Sequence, residues 1–254
     1  MKITPVPLLS DNYAWVLHRR GERTCAIVDP GEERGLLEWL LGSELTPVAF
    51  LLTHHHWDHL GGLAALLARH PGARVIASAH DAREGRIEGV TEALEDGARF
   101  ELLDEEGVAL HVPGHTHGAL AFHLPALGVL FTGDTLFTGG CGRLFEGTPE
   151  QMWSSLSRLA ALPPETLVYC GHEYTRSNLR FAQHVEPGSL AVSARLALVE
   201  QARASGLPTV PATLGEELAT NPFLRCTQPG PRAHTGREAP AEVFAALRAE
   251  KDGF

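Results

Sequence analysis

The four cysteines, Cys25, Cys141, Cys170 and Cys226, form no Cys-x-x-Cys pair, so neither a disulfide framework nor a zinc ribbon is implied. No run approaches the roughly 18–20 apolar residues of a membrane span. The opening Met1-Lys2-Ile3-Thr4-Pro5-Val6-Pro7 has no stretch long enough for a signal peptide, so a cytoplasmic protein is expected. Positive charge is also short: 21 Lys plus Arg stand against 31 Asp plus Glu, a net charge of −10. With no basic run to neutralise a phosphate backbone, nucleic acid is not an expected partner. Internal repeats and low-complexity tracts are absent. What remains is a chain of 254 residues, long enough to bury a sizeable core in one or two domains. A monomer acting on a small molecule is expected.

What the chain does have is histidine in one unusual place. Thr53-His54-His55-His56-Trp57-Asp58-His59 packs His-x-His-x-Asp-His into six residues. Imidazole nitrogen and carboxylate oxygen suit zinc, iron and manganese. The apolar run Val48-Ala49-Phe50-Leu51-Leu52 before it reads as a buried strand, and Leu60-Gly61-Gly62-Leu63-Ala64-Ala65-Leu66-Leu67 after it as the start of a helix. Alternate side chains of a tight loop point different ways, so His54 and His56 can face one ion while Asp58 and His59 face another.

A dinuclear site needs about three more ligands, and three candidates share one pattern. His115, Asp134 and His172 each follow a short apolar or β-branched run, and each is preceded directly by glycine, which lets the backbone turn sharply. Nine of the fourteen histidines, among them His55, His70, His111, His117 and His184, match no ligand position and read as surface or hydrogen-bonded residues.

Strand-like runs fall at 13–18, 24–28, 48–52, 74–77, 100–103, 108–111, 120–124 and 129–132. Helical patterns fall at 34–41, 62–69 and 150–161, the last opened by Thr148 as N-cap and Pro149 at the first helical position. This mixture predicts an α/β layered architecture. After His172 strand signals nearly vanish; 173–185, 189–204, 215–219 and 239–250 read as helices, with Gln228-Pro229-Gly230-Pro231 as a turn. The expected division is a first domain over 1–172 and a small helical domain over 173–254.

The spacing of His54, His56, Asp58, His59, His115, Asp134 and His172 resembles the metal signature of the metallo-β-lactamase superfamily. Further segments resemble the glyoxalase II (hydroxyacylglutathione hydrolase) family within it: Thr132-Gly133-Asp134-Thr135-Leu136-Phe137, Gly140-Cys141-Gly142-Arg143, Gly171-His172-Glu173-Tyr174-Thr175, Asn221-Pro222-Phe223 and Arg248-Ala249-Glu250-Lys251. The resemblance covers nearly the whole chain.

That resemblance implies a four-layer αββα sandwich with metals at one edge and a small all-helical C-terminal domain. It implies two divalent ions, most often zinc with iron or manganese as alternatives. His54, His56 and His115 would hold one, Asp58, His59 and His172 the other, and Asp134 would bridge. The implied reaction is hydrolysis of S-2-hydroxyacylglutathione thioesters, S-lactoylglutathione to lactate and glutathione, the second step of methylglyoxal detoxification. Asp58 and Asp134 would serve catalysis, and Arg143, Tyr174, Arg248 and Lys251 would bind glutathione. Two positions depart from the family pattern: Phe145 stands where tyrosine is common, and Ala119 where many members carry histidine. The rival within the fold is a glutathione persulfide dioxygenase, which uses one iron and needs fewer ligands; another hydrolase of the same fold is the further alternative.

Overall fold

The computed structural model describes residues 1–254. Contacts divide them into two compact units, one formed by 1–111 with 118–133, the other by 112–117 with 134–254.

In the first unit β1 (Lys2–Leu8), β2 (Asn12–His18) and β3 (Thr24–Val28) pair antiparallel in sequence order. From β3 onward the sheet turns parallel, which requires crossovers, and short helices supply them. The helix α1 (Glu33–Ser43) leads to β4 (Thr46–Leu51). Next α2 (Trp57–Leu60) and α3 (Leu63–Arg69) lead to β5 (Arg74–Ser78), and α4 (Ala79–Arg83) leads to β6 (Glu92–Leu94). The order β1 to β6 follows the sequence. A second set, β7 (Arg99–Leu102), β8 (Glu105–His111), β9 (Leu120–Leu124) and β10 (Val129–Gly133), forms an antiparallel meander. Leu36, Leu66, Ile27, Phe50 and Val75 fill the core between the first sheet and its helices. The sequence pattern finds eight of these ten strands. It leaves out β6 and β1; Pro5 and Pro7 weaken the strand signal of β1, yet β1 is the sheet edge. The two prolines are two residues apart, so their missing N–H groups fall on the same side of the strand, where an edge needs no donor.

In the second unit β11 (Leu136–Phe137) and β12 (Gly140–Cys141) make a small hairpin. The helix α5 (Pro149–Ala160) opens with a full capping box between Thr148 and Gln151, with Pro149 in its first turn as the sequence predicts. After β13 (Leu167–Cys170) come α6 (Thr175–Val185) and α7 (Leu190–Ala204), then β14 (Ala212–Thr213), which pairs with β13. The chain closes with α8 (Leu214–Thr220), α9 (Pro229–Thr235) and α10 (Pro240–Gly253). Leu179 and Ala182 of α6 pack on Val192, Leu196 and Val199 of α7.

The segment from Pro229 is a helix, not the turn that its prolines suggest. Pro229 and Pro231 both lie in its first turn, where backbone N–H groups have no partner within the helix in any case. The helix α5 packs against α10 and β13 pairs with β14, so both belong with the elements that follow them.

Candidate metal centre and substrate cleft

The parallel strands of the first unit end on one edge of the sheet, and the His-rich loop leaves from the end of β4 at that edge. Its shape is set by Asp29, just past β3. One carboxylate oxygen of Asp29 accepts from the Thr53 backbone N–H (2.8 Å) and the other from the Thr53 hydroxyl (2.7 Å). The latter oxygen also lies 3.0 Å from His59 Nδ1. His54 Nδ1 lies 3.0 Å from the Thr53 hydroxyl. Each of these imidazoles is thus gripped at Nδ1, which turns Nε2 toward the candidate centre. His54 Nε2 faces His56 Nδ1 at 3.1 Å, and His59 Nε2 faces an Asp58 carboxylate oxygen at 3.5 Å. Asn12 donates to that same oxygen (3.0 Å) and to the Asp58 carbonyl (3.2 Å), fixing the acid from behind. A Cβ at Gly31 would stand 1.8 Å from the Asp58 carbonyl oxygen, so only glycine lets the chain after Asp29 pass this loop.

The second unit presents the other three ligand-type residues together. His115 Nδ1 is held by the Arg143 carbonyl at 2.9 Å, and its Nε2 lies 3.5 Å from an Asp134 carboxylate oxygen. His172 Nε2 lies 3.3 Å from the same oxygen, and the His172 ring stacks on Tyr174 with centroids 4.7 Å apart. Asp134 is reached through Gly133 at φ 49°, a left-handed conformation that glycine adopts without strain. His54, His59 and His115 are thus each held at Nδ1 by protein, and with the carboxylates of Asp58 and Asp134 both units offer the nitrogen and oxygen donors that a divalent transition metal needs. Phe145 is exposed and sets its ring edge-on to His115 at 5.3 Å; Ala119 is buried and His117 exposed.

Thiol chemistry does not compete at this centre. All four cysteines are free and buried; burial pushes the Cys141 thiol up to about 11 and that of Cys170 up to about 12. Neither supplies a thiolate at neutral pH.

The four residues assigned to substrate line one cleft of the second unit, about 260 Å³, together with Phe137, Cys141, Ser177 and Asn178. Three of them are cations. Lys251 Nζ donates to the Ser177 hydroxyl (3.2 Å) and lies over the Phe181 and Phe254 rings. Arg143 is largely exposed and lies 3.5 Å from Asp252. Arg248 is buried. It donates to the Cys141 carbonyl (2.8 Å) and to Asp252 (3.0 Å), so it also braces β12. Burial first, and then the neighbouring charges of Arg248 and Arg143, lower the Lys251 pKa below the usual lysine value.

Asp29 and Asn12 are the functional residues that the sequence alone does not single out. The one signal for Asp29 is its place between an apolar strand and Pro30-Gly31. Its removal should show most in metal retention. Asp29→Ala is expected to weaken metal binding about 10–100-fold, the usual cost of losing an outer partner of a ligating histidine. Chelator competition reads this directly, and wild-type retention would show that Thr53 and His59 hold their geometry without it.

Residues 9–172 match the metallo-beta-lactamase superfamily, and residues 173–254 match the hydroxyacylglutathione hydrolase C-terminus. The hydroxyacylglutathione hydrolase of Synechococcus sp. (strain JA-2-3B'a(2-13)) is 50% identical over 256 residues, covering 100% of each chain. That of Gloeobacter violaceus is 51% identical over 246 residues, covering 97% of each. Among solved structures, TTHA1623 in a di-iron-bound form is 28% identical, with a TM-score of 0.61 over 88% of this chain and 100% of its own. Full-length identity of this order, with both matched regions meeting at residue 172, leaves one assignment: the chain belongs to the hydroxyacylglutathione hydrolase family and has the metallo-β-lactamase fold.

Proposed function

We propose that this protein is a metal-dependent thioesterase that hydrolyses S-2-hydroxyacylglutathione, converting S-lactoylglutathione to lactate and glutathione in methylglyoxal detoxification. The observation that carries the reading is the cleft. In a chain of net charge −10, Arg143, Arg248 and Lys251 converge on one concavity beside Tyr174, which suits an anionic substrate with a peptide backbone.

His54, His56 and His115 would hold one ion and Asp58, His59 and His172 the other, with Asp134 shared. Bound there, two divalent ions, zinc by this donor set with iron or manganese as alternatives, supply hydroxide near neutral pH and polarise the thioester carbonyl. The protein's own part is orientation. Asp58, fixed by Asn12, can accept a hydrogen bond from the attacking solvent and aim it. Arg143 and Lys251 can hold the glutathione carboxylate, and Tyr174 can donate beside them. A thiolate with a conjugate acid near about 8.5 leaves without a general acid, so the site needs none. Residues 1–172 would carry the chemistry and 173–254 most of the recognition. No helix is long and apolar enough to cross a membrane; we place the protein in the cytoplasm, as a monomer with no nucleic-acid partner.

The test is Lys251→Ala. A charge-assisted contact is worth roughly 1.5–3 kcal/mol, so KM for S-lactoylglutathione should rise about ten-fold or more. Metal content and hydrolysis of a small thioester lacking glutathione should hold. The sign of the pH dependence follows from the lowered lysine pKa: the cation is present below it, so KM rises as pH climbs through it. Lys251→Arg should flatten that rise, because a guanidinium stays charged. Equal losses on both substrates would remove glutathione from the reading. Oxygen consumption with glutathione persulfide, without thioester hydrolysis, would make the protein a dioxygenase.

A further inference from the structure

His184, His234 and Glu250 lie outside both the metal centre and the cleft, on three different helices, α6, α9 and α10. His184 Nε2 is 2.8 Å from one Glu250 carboxylate oxygen, and His234 Nε2 is 2.7 Å from the other. The rings stand edge to face with centroids 5.3 Å apart. One nitrogen or oxygen from each residue lies within 4.8 Å of the others. We propose that His184, His234 and Glu250 form an accessory site for a divalent transition metal of the zinc or copper class, tying the three helices together.

Two imidazoles and one carboxylate are a ligand set that binds zinc while leaving a fourth position for water, and imidazole favours copper still more strongly. Donors on a tetrahedral ion at about 2.0–2.2 Å stand roughly 3.4 Å apart. The two imidazole–carboxylate separations, 2.8 and 2.7 Å, would therefore each open by about 0.6–0.7 Å for an ion to replace the shared protons. Burial opposes ionisation of Glu250, but the hydrogen bonds from His234 and His184 outweigh it and hold the carboxyl below the usual glutamate range. His184 is exposed, which leaves the open position to solvent, and the Phe254 ring 5.4 Å from it walls one side. The site also has a consequence for the cleft. The helix α6 carries Ser177 and Asn178, and α10 carries Arg248 and Lys251, so an ion here braces two helices that line it.

The test compares ion counts between the wild-type protein and a His184→Ala, His234→Ala double variant, both fully loaded with Zn²⁺ and titrated further. The wild type should bind one ion more per chain, whatever number the catalytic centre holds, so failure here is separable from failure of the thioesterase reading. With the catalytic centre kept loaded with Zn²⁺ and one further equivalent of Cu²⁺ added, the electron paramagnetic resonance spectrum of the added ion should show nitrogen ligation that the double variant lacks. Glu250→Gln, which keeps the shape of the acid, should lose the same ion and guards against misfolding of the double variant. Equal ion counts in wild type and both variants, or nitrogen ligation that persists in the double variant, would overturn the proposal.

Discussion

Asp134→Ala is expected to lower kcat/KM for the thioester at least about 10³-fold, a loss of roughly 4 kcal/mol of transition-state stabilisation, and to lower metal content with it. Asp134 meets two imidazoles of the candidate centre through a single carboxylate oxygen. The same oxygen lies 3.5 Å from His115 Nε2 and 3.3 Å from His172 Nε2. Without it those two nitrogens lose the carboxylate they share. The surroundings leave it little room to be replaced. A Cβ at Gly142 would fall 1.9 Å from the Asp134 carbonyl, so the backbone here is packed to contact. Asp134→Asn keeps the shape and removes the charge, which separates packing from electrostatics. Elemental analysis beside the thioester assay reads both. Lost activity with full metal would make Asp134 a positioning group, and ordinary activity would remove it from the centre.

Much of the site is legible in the sequence because its chemistry is local. Four of the seven ligand-type residues lie within six positions, and a dense His/Asp run between two apolar elements has few bland explanations. The outer partners are not legible. Asp29 and Asn12 are ordinary residues 24 and 46 positions from the groups they hold, and only the pairing of β3 with β4 and the folding of the β1–β2 turn bring them there. Proline explains two of the misread elements, β1 and α9. It signals an interruption, and at a sheet edge or in a first helical turn there is nothing for it to interrupt. Arg248 shows a third kind of limit. The spacing of Arg248 and Lys251 puts both on one face of α10, but nothing local says that the arginine is also committed to the carbonyl of Cys141, 107 positions away.

The cleft depends on a buried network that no motif announces, and it should yield the largest change in stability. Glu217 on α8 is fully buried. Its carboxylate is paired with Arg195 of α7 at 2.5 Å and accepts from the Gly139 backbone N–H (2.7 Å) and from Asn221 Nδ2 (3.0 Å). Asn221 also donates to the carbonyls of Gly140 (2.9 Å) and Phe137 (3.3 Å). One glutamate thus anchors the β11–β12 hairpin that carries Phe137 and Cys141 into the cleft. Glu217→Ala leaves a largely buried guanidinium uncompensated, which costs about 3–5 kcal/mol. At roughly 2–4 °C per kcal/mol for a chain of this size, the melting temperature should fall by on the order of 10 °C. KM for S-lactoylglutathione should rise as the hairpin loosens. Removing the charge on both sides separates the two parts of the penalty. An Arg195→Met, Glu217→Leu double variant should recover some stability, because no lone ion remains. It should not recover all of it, because the Gly139 N–H and Asn221 amide lose an acceptor, at about 1–3 kcal/mol. A Glu217→Ala melting curve that overlays the wild type would show that the hairpin stands without the network, and the cleft would then owe its shape to α10 and Arg248 alone.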